Sequence, residues 1–288
     1  MDPGLQGIVD EVRNDQGSGA ADIFRRVLDA LCMIMQTSRS VSKQDLEDFS
    51  LQLHLAKRSM APMFNLANTI LISLEREDWE DHIRERFLTI RKEIDISTAR
   101  IVDSVSNILS GGRIMTISYS STVLACLSSM SGGQKIEVIV PVSLPLGEGR
   151  QMAKVLSDRG VRVELIQDSM VFSIMEELDY VIVGADAVTP VGLVNKVGTF
   201  SIVAAAHYFE VSAYGLCDWM KISPVEMLDP IETQTSVGVN LSMREQVFEQ
   251  TPLDMFTGVI TDRGIMTPDD IRTEMERMKI STKWARLQ

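Results

Sequence analysis

The stretch KIEVIVPVSLPLGEGRQMAKVLSDRGVRVELIQDS, residues 135–169, decides the fold class of this chain. It opens on a β-branched run, KIEVIV, passes through a Pro/Gly turn and enters a helical stretch near Gly149. A second short run, VRVELI, follows at once. Strand, helix and strand in this order make the crossover unit of a parallel sheet. Runs that are apolar on both faces need cover on both sides, so helices are expected above and below the sheet.

The same grammar extends outward from Arg113. RIMTISY, YVIVGAD, VSAYGL and GVIT are further candidate strands, with helices expected to start near Ser121, Ser169, Lys196 and Pro268. Upstream the periodicity changes. In ADIFRRVLDALCMIM the apolar Ile23, Phe24, Val27, Leu28 and Leu31 follow the 3, 4, 7 spacing of one helix face. Further helical stretches begin at Ser42, near Pro62, and at Asp81, the last running to Leu109 before Gly111 and Gly112 stop it. The expectation is an α/β chain with a helical N-terminal domain, residues 1–110, and a Rossmann-like parallel-sheet domain, residues 111–288.

With 288 residues, 45% of them hydrophobic, the chain can bury a sizeable core. Its formal net charge of −12 leaves no basic footprint for counterion release, so direct nucleic-acid binding is not expected. Cys32, Cys126 and Cys217 are widely spaced and form no C-x-x-C pair, which argues against a disulfide framework or thiolate metal site and for a reducing, cytoplasmic compartment. His54, His82 and His207 are equally scattered. No metal or cofactor is expected. The N-terminal MDPGLQGIVDEV has neither a basic start nor an apolar core, and no run approaches the roughly 20 apolar residues of a membrane span.

Ligands of open α/β sheets gather beyond the carboxyl ends of the strands. No G-x-G-x-x-G follows the first strand of the α/β half, and no P-loop occurs, so dinucleotide and nucleoside-triphosphate readings lose their main support. Instead, the hydroxyls of Thr116, Ser118, Ser120, Ser121 and Thr122 lead into a helix whose first amides can hold a phosphate, or one of them simply caps that helix. Asp186 closes YVIVGAD, where apolar neighbours would raise its pKa and suit it to proton transfer; the alternative is an aspartate capping the next turn. In Asn195-Lys196-Val197-Gly198-Thr199 the glycine permits close backbone approach and the lysine supplies a cation for an anion, against the alternative of a solvated lysine at an ordinary helix start.

Taken together, GADAVTPVGLVNKVGT, GGRIMTISYSSTVLACL, FEQTPLDMFTGVITDRGIMTP and AKRSMAPMFNLAN resemble the superfamily that joins the alpha, beta and delta subunits of translation initiation factor 2B with ribose-1,5-bisphosphate isomerase and methylthioribose-1-phosphate isomerase. The resemblance covers nearly the whole chain from about residue 20. It implies a helical N-terminal domain, a Rossmann-like C-terminal domain, a ligand site between them and pairing of subunits into a homodimer or higher oligomer. In the isomerases a cysteine and the aspartate of Gly-Ala-Asp act together; Asp186 falls on that aspartate, and Ser118 on the cysteine. A serine hydroxyl is a far weaker acid than a thiol, which argues against the isomerase chemistry. The family's histidine is replaced by Ile117, and an arginine by Leu144. Arg58 matches an arginine of the isomerases, and Cys126 is read as core.

The expected function is therefore that of an initiation-factor-2B-like regulatory protein, closest to the archaeal members, with a retained pocket for a sugar phosphate or nucleoside monophosphate and a translation initiation factor as partner. Arg58 and Lys196 would be the pocket's cations, the amides at Ser120, Ser121 and Thr122 its anion nest, and Asn195 and Asp186 its contacts to ligand hydroxyls. The alternative is an aldose-ketose isomerase of a phosphorylated pentose, with Asp186 as the proton-transfer residue. A structural member of a hetero-oligomer with a vestigial pocket is the third reading.

Overall fold

The computed structural model describes residues 1–15, 17–36, 41–130, 135–228, 232–238 and 240–284. Five helices come first: α1 (Pro3–Asn14), α2 (Ala20–Gln36), α3 (Lys43–Ala56), α4 (Ala61–Leu74) and α5 (Trp79–Ile108). α1 has no counterpart among the expected helices, although its start carries a clear signal. Asp2 accepts the Gly4 N–H at 2.8 Å and Pro3 occupies the first helical position, where a missing N–H costs nothing.

The α/β half follows as β1 (Gly112–Met115), α6 (Ser121–Met130), β2 (Ile136–Pro141), α7 (Gly149–Asp158), β3 (Arg162–Ile166), the one-turn α8 (Val171–Ile174) and β4 (Tyr180–Gly184). It continues through β5 (Ala187–Val188), β6 (Leu193–Lys196), α9 (Thr199–Tyr208), β7 (Ser212–Leu216), β8 (Glu232–Gly238), β9 (Leu241–Gln246), β10 (Phe248–Thr251), β11 (Gly258–Thr261), β12 (Gly264–Met266) and α10 (Pro268–Glu276). Seven of these strands form one sheet in the order β12-β11-β7-β4-β1-β2-β3, parallel except for β12, which pairs antiparallel with β11. Side chains alternate across it as period-2 geometry demands. Ile114, Val138, Ile182 and Ile260 face α6, α7 and the end of α5, whereas Met115, Ile139, Val181 and Val259 face α9 and α10. The chain winds from β1 outward to β3, then returns to β4 on the other side of β1.

Two local expectations need correction. The strand expected over RIMTISY ends at Met115, because Ser118 takes a left-handed φ of 63° that no strand continues through. The helix expected from Lys196 begins at Thr199 instead. Asn195 and Lys196 belong to β6, whose backbone pairs antiparallel with Glu249 and Phe248 of β10, and Gly198 makes the turn between strand and helix with φ 101°. The three-stranded sheet β10-β6-β5 and the hairpin β8-β9 were not among the expected elements.

Helical layer and sheet meet along α5. Its Ile83, Phe87 and Ile90 pack among α1 to α4, and its Ile101, Val105 and Leu109 pack under the sheet. The segment after α10 crosses back onto α4. Buried Asn68 accepts from the Ser281 N–H at 2.9 Å and from Trp284 Nε1 at 3.1 Å, and donates to the Lys279 carbonyl at 2.9 Å. Asn68→Ala would leave two buried donors and one partly buried carbonyl without this partner. We expect a loss of about 3 kcal/mol in urea-denaturation stability, with the far-ultraviolet circular dichroism of the native state unchanged.

Candidate functional site

In a doubly wound sheet the crevice opens where the strand order reverses, because the connections on either side leave in opposite directions. Here that point lies between β1 and β4. A cavity of about 460 Å³ sits at it, closed on the far side by the helical layer. Its walls are the β1–α6 turn, the β2–α7 turn, the end of β4, the end of β6, the turn that follows β7, the start of α2 and the α3–α4 turn. The β1–α6 turn presses directly on β4: a Cβ at Gly184 would lie 2.6 Å from Ser120 Oγ.

Ser118, Ser120, Ser121, Arg58, Asp186, Asn195 and Lys196 all line this one cavity. Thr116 and Thr122, proposed as contacts from the sequence, do not. Thr116 is fully buried in the sheet with its hydroxyl unpaired, and Thr122 faces the core beneath α6. Ser120 does cap α6, its Oγ accepting the Val123 N–H at 3.4 Å, while the amides one and two residues into the helix have no intrahelical acceptor. The left-handed Ser118 is held by a relay. Its N–H donates to Ser143 Oγ at 2.9 Å, and the Asp168 carboxylate accepts the N–H of Ser143 at 2.8 Å and of Leu144 at 3.3 Å.

Asp186 joins the cavity floor to the helical layer. Its N–H donates to the Val194 carbonyl at 2.9 Å and its carbonyl accepts the Ala61 N–H at 3.0 Å, while its carboxylate lies near the Ala20 N–H at the start of α2. The residue is partly buried and lines the cavity. Burial pushes its pKa above the ordinary aspartate range, against the opposing pull of Lys221 and the Ala20 N–H. Its acid form is thereby favoured relative to a solvated carboxyl.

The cations differ in availability. Arg58 is exposed at the mouth and has no ion-pair partner among the described residues. Lys57 donates to the Asp15 carbonyl. Lys196 is 3% exposed and its Nζ lies 3.0 Å and 3.1 Å from the two carboxylate oxygens of Glu148. Asn195 donates to Thr199 Oγ1 at 3.0 Å, and Thr199 Oγ1 donates to the Lys196 carbonyl at 2.6 Å, so the turn into α9 is tied within itself.

Lys221, Glu148 and the Gly17-Ser18-Gly19-Ala20 approach to α2 line the cavity and were not singled out from the sequence. Lys221 is 4% exposed and lies within electrostatic reach of Asp186 and Asp218. Asn65 of α4 straddles its backbone, donating to the Met220 carbonyl at 2.6 Å and the Ile222 carbonyl at 2.8 Å. The available signals were a lysine just beyond the carboxyl end of VSAYGL and a run of small residues ahead of an amphipathic helix. Cys126, by contrast, is fully buried in α6, and burial pushes its thiol up to about 12. It offers no acid to replace the thiol that Ser118 lacks.

Among the described residues, no group of three or more His, Cys, Asp or Glu is placed to hold a metal ion, and no helix is long and apolar enough to cross a membrane.

Comparison with known proteins agrees with this architecture. A translation initiation factor eIF-2B subunit 2-like protein of Pyrococcus furiosus is 30% identical over 277 residues, covering 91% of this chain and 95% of the relative. A ribose 1,5-bisphosphate isomerase of Archaeoglobus fulgidus is 27% identical over 284 residues, covering 90% of this chain and 88% of that enzyme. The crystal structure of the Pyrococcus horikoshii translation initiation factor eIF-2B superposes with a TM-score of 0.80 at 25% identity, over 93% of this chain and 98% of that one. The model of the Initiation factor 2 subunit family matches residues 16–268, and the chain belongs to that family.

Proposed function

We propose that the protein is an initiation-factor-2B-like regulatory subunit that binds a sugar phosphate or nucleoside monophosphate in the cavity between β1 and β4, with little or no turnover. The observation that carries this reading is the coexistence, in one cavity, of a partly buried carboxyl at Asp186, a cation at Arg58 with no ion-pair partner among the described residues, and the open start of α6, with a serine at position 118. A phosphoryl group is met by the α6 amides and the Arg58 guanidinium, and sugar hydroxyls by Asp186 and Asn195. The relatives named as initiation-factor subunits support a translation initiation factor as partner; a homodimer or larger oligomer in the cytoplasm is part of the same proposal.

A second reading, aldose-ketose isomerisation of a phosphorylated pentose, is favoured by one feature. Asp186 combines a raised pKa with a place on the cavity floor, the combination a proton-transfer group needs. Its weakness is the acid partner, because Ser118 is no substitute for a thiol near neutral pH.

Thermal unfolding and phosphorus NMR with ribose 5-phosphate and AMP separate the two readings. Ligand at about 100 times Kd should stabilise the fold by about 2.7 kcal/mol, with broadened phosphorus lines and no new resonances. Arg58→Gln should weaken binding about tenfold while leaving the unliganded stability unchanged, since the side chain is exposed. Unshifted unfolding with every ligand would sink the pocket reading; new product resonances that vanish in Asp186→Asn would establish the isomerase.

The raised pKa of Asp186 also sets a pH dependence. The folded state holds this proton more tightly than the unfolded one, so the contribution of Asp186 is fully present below the unfolded value, near 3.8, and is lost as pH rises through the folded value. Asp186→Asn removes that dependence and leaves Asp218 beside Lys221. We expect the variant to be the more stable protein at pH 7, with the difference shrinking toward pH 4, in urea denaturation performed across that range.

A further inference from the structure

This inference rests on the reading of the cavity as a phosphate-ligand pocket and names residues that shape one of its walls from outside it. Strands β1, β2 and β3 are neighbours in the sheet and run parallel, so their carboxyl ends lie side by side. A chain of hydrogen bonds runs across these ends toward the cavity. Asp168, two residues past β3, accepts the Ser143 N–H at 2.8 Å and the Leu144 N–H at 3.3 Å on separate carboxylate oxygens. Ser143, two residues past β2, accepts the Ser118 N–H on its Oγ at 2.9 Å and donates its hydroxyl proton to the Pro141 carbonyl at 3.0 Å. A hydroxyl has one proton, so the bond to Pro141 leaves the Oγ lone pairs for Ser118.

Both serines hold left-handed backbone, with φ of 63° at Ser118 and 67° at Ser143. A residue with a Cβ disfavours this region by about tenfold, so the conformation persists only where its surroundings impose it. Packing supplies one restraint. A Cβ at Gly184 would lie 2.6 Å from Ser120 Oγ, and one at Gly198 would lie 2.9 Å from Ile117 Cδ1, so the β1–α6 turn fits closely between two glycines. The bond from Ser143 supplies the other. The turn so held lines the cavity with Ser118, Tyr119, Ser120 and Ser121, and the N–H groups of the last three have no acceptor among the described residues. Ser143 is fully buried, and neither it nor Asp168 lines the cavity.

We propose that Ser143 and Asp168 are positioning residues that hold the β1–α6 turn in the conformation that presents Ser118 and the free N–H groups to a bound phosphate ester. Asp168 fixes the left-handed turn at Ser143, Ser143 fixes the left-handed turn at Ser118, and both act on the ligand through Ser118 alone.

The test is isothermal titration of ribose 5-phosphate and AMP into the wild-type chain, Ser143→Gly and Asp168→Asn, with amide hydrogen exchange followed by NMR on the same proteins without ligand. Glycine adopts a φ of 67° without strain, so Ser143→Gly keeps the backbone and its bonds to Asp168 and removes the acceptor of the Ser118 N–H. Freeing the turn lowers the binding-competent fraction, and we expect affinity to fall about tenfold with it. Asp168→Asn retains one acceptor oxygen and sets an amide donor against the other N–H, for an expected loss of roughly fivefold. In Ser143→Gly the Ser118 amide should exchange at least about tenfold faster, with the Ile139 and Val183 amides of the sheet unchanged. Affinity in Ser143→Gly within about twofold of the wild type overturns the positioning role and leaves the pocket reading intact. Faster exchange throughout the sheet makes the loss one of general stability and overturns it as well, as does a Ser118 amide that is unprotected in the wild type. Silence of the wild type toward both ligands, with its Ser118 amide protected, overturns the pocket reading itself and the binding role with it.

Discussion

The partial burial of one aspartate joins the two layers of this molecule. Asp186 stands where the central strand β4 runs out; its backbone bonds the Val194 carbonyl of β6 and the Ala61 N–H of α4, and its carboxylate lies near the Ala20 N–H of α2. Two helices of the N-terminal layer therefore start against this residue. A carboxyl in that position is costly unless hydrogen bonds and a nearby cation compensate it. Lys221 and the Ala20 N–H supply part of that compensation. The remainder is opened toward the cavity, so one residue both joins the two layers and keeps a polar face toward that cavity.

The sheet topology makes this joint possible. Because β1 and β4 are neighbours in space but far apart in the chain, the turns that leave their carboxyl ends diverge and leave a crevice. The helical layer roofs part of the crevice and leaves a mouth open to solvent. On the covered side the local dielectric is lower, so the buried charges there count for more than they would at the surface. That is why the pairing of Lys196 with Glu148, and the lack of an ion-pair partner for Arg58 among the described residues, weigh on the electrostatics of the cavity.

The elements were legible in the sequence wherever a short window carries the information. The helix faces of α2 and α5 and the strands β2, β3, β4 and β11 follow from periodicity, which depends only on neighbours in the chain. Asp186, Asn195 and Lys196 were legible because one contiguous stretch contains them, and the family resemblance drawn from that stretch held over residues 16–268. α1 carried its signal in Asp2 and Pro3 and was passed over. The sequence suggests a helix start near Lys196, and the strand that holds Asn195 and Lys196 is not legible there because its partner, β10, lies about 50 residues further on.

What the sequence by itself determined is the α/β class, the order of helices and strands, the family, and the polar residues at strand ends, all of which rest on local periodicity and contiguous motifs. What only the tertiary structure decided is the electrostatic state of those residues. Glu148 and Lys196 are 48 positions apart, and Asn65 meets the carbonyls around Lys221 from 155 and 157 positions away. Thr116 turned into the sheet while Ser118 turned into the cavity, two residues further along the same turn. Charge pairing and desolvation depend on distance in space and on what displaces water, and the linear order of residues specifies neither until the two layers have closed on each other.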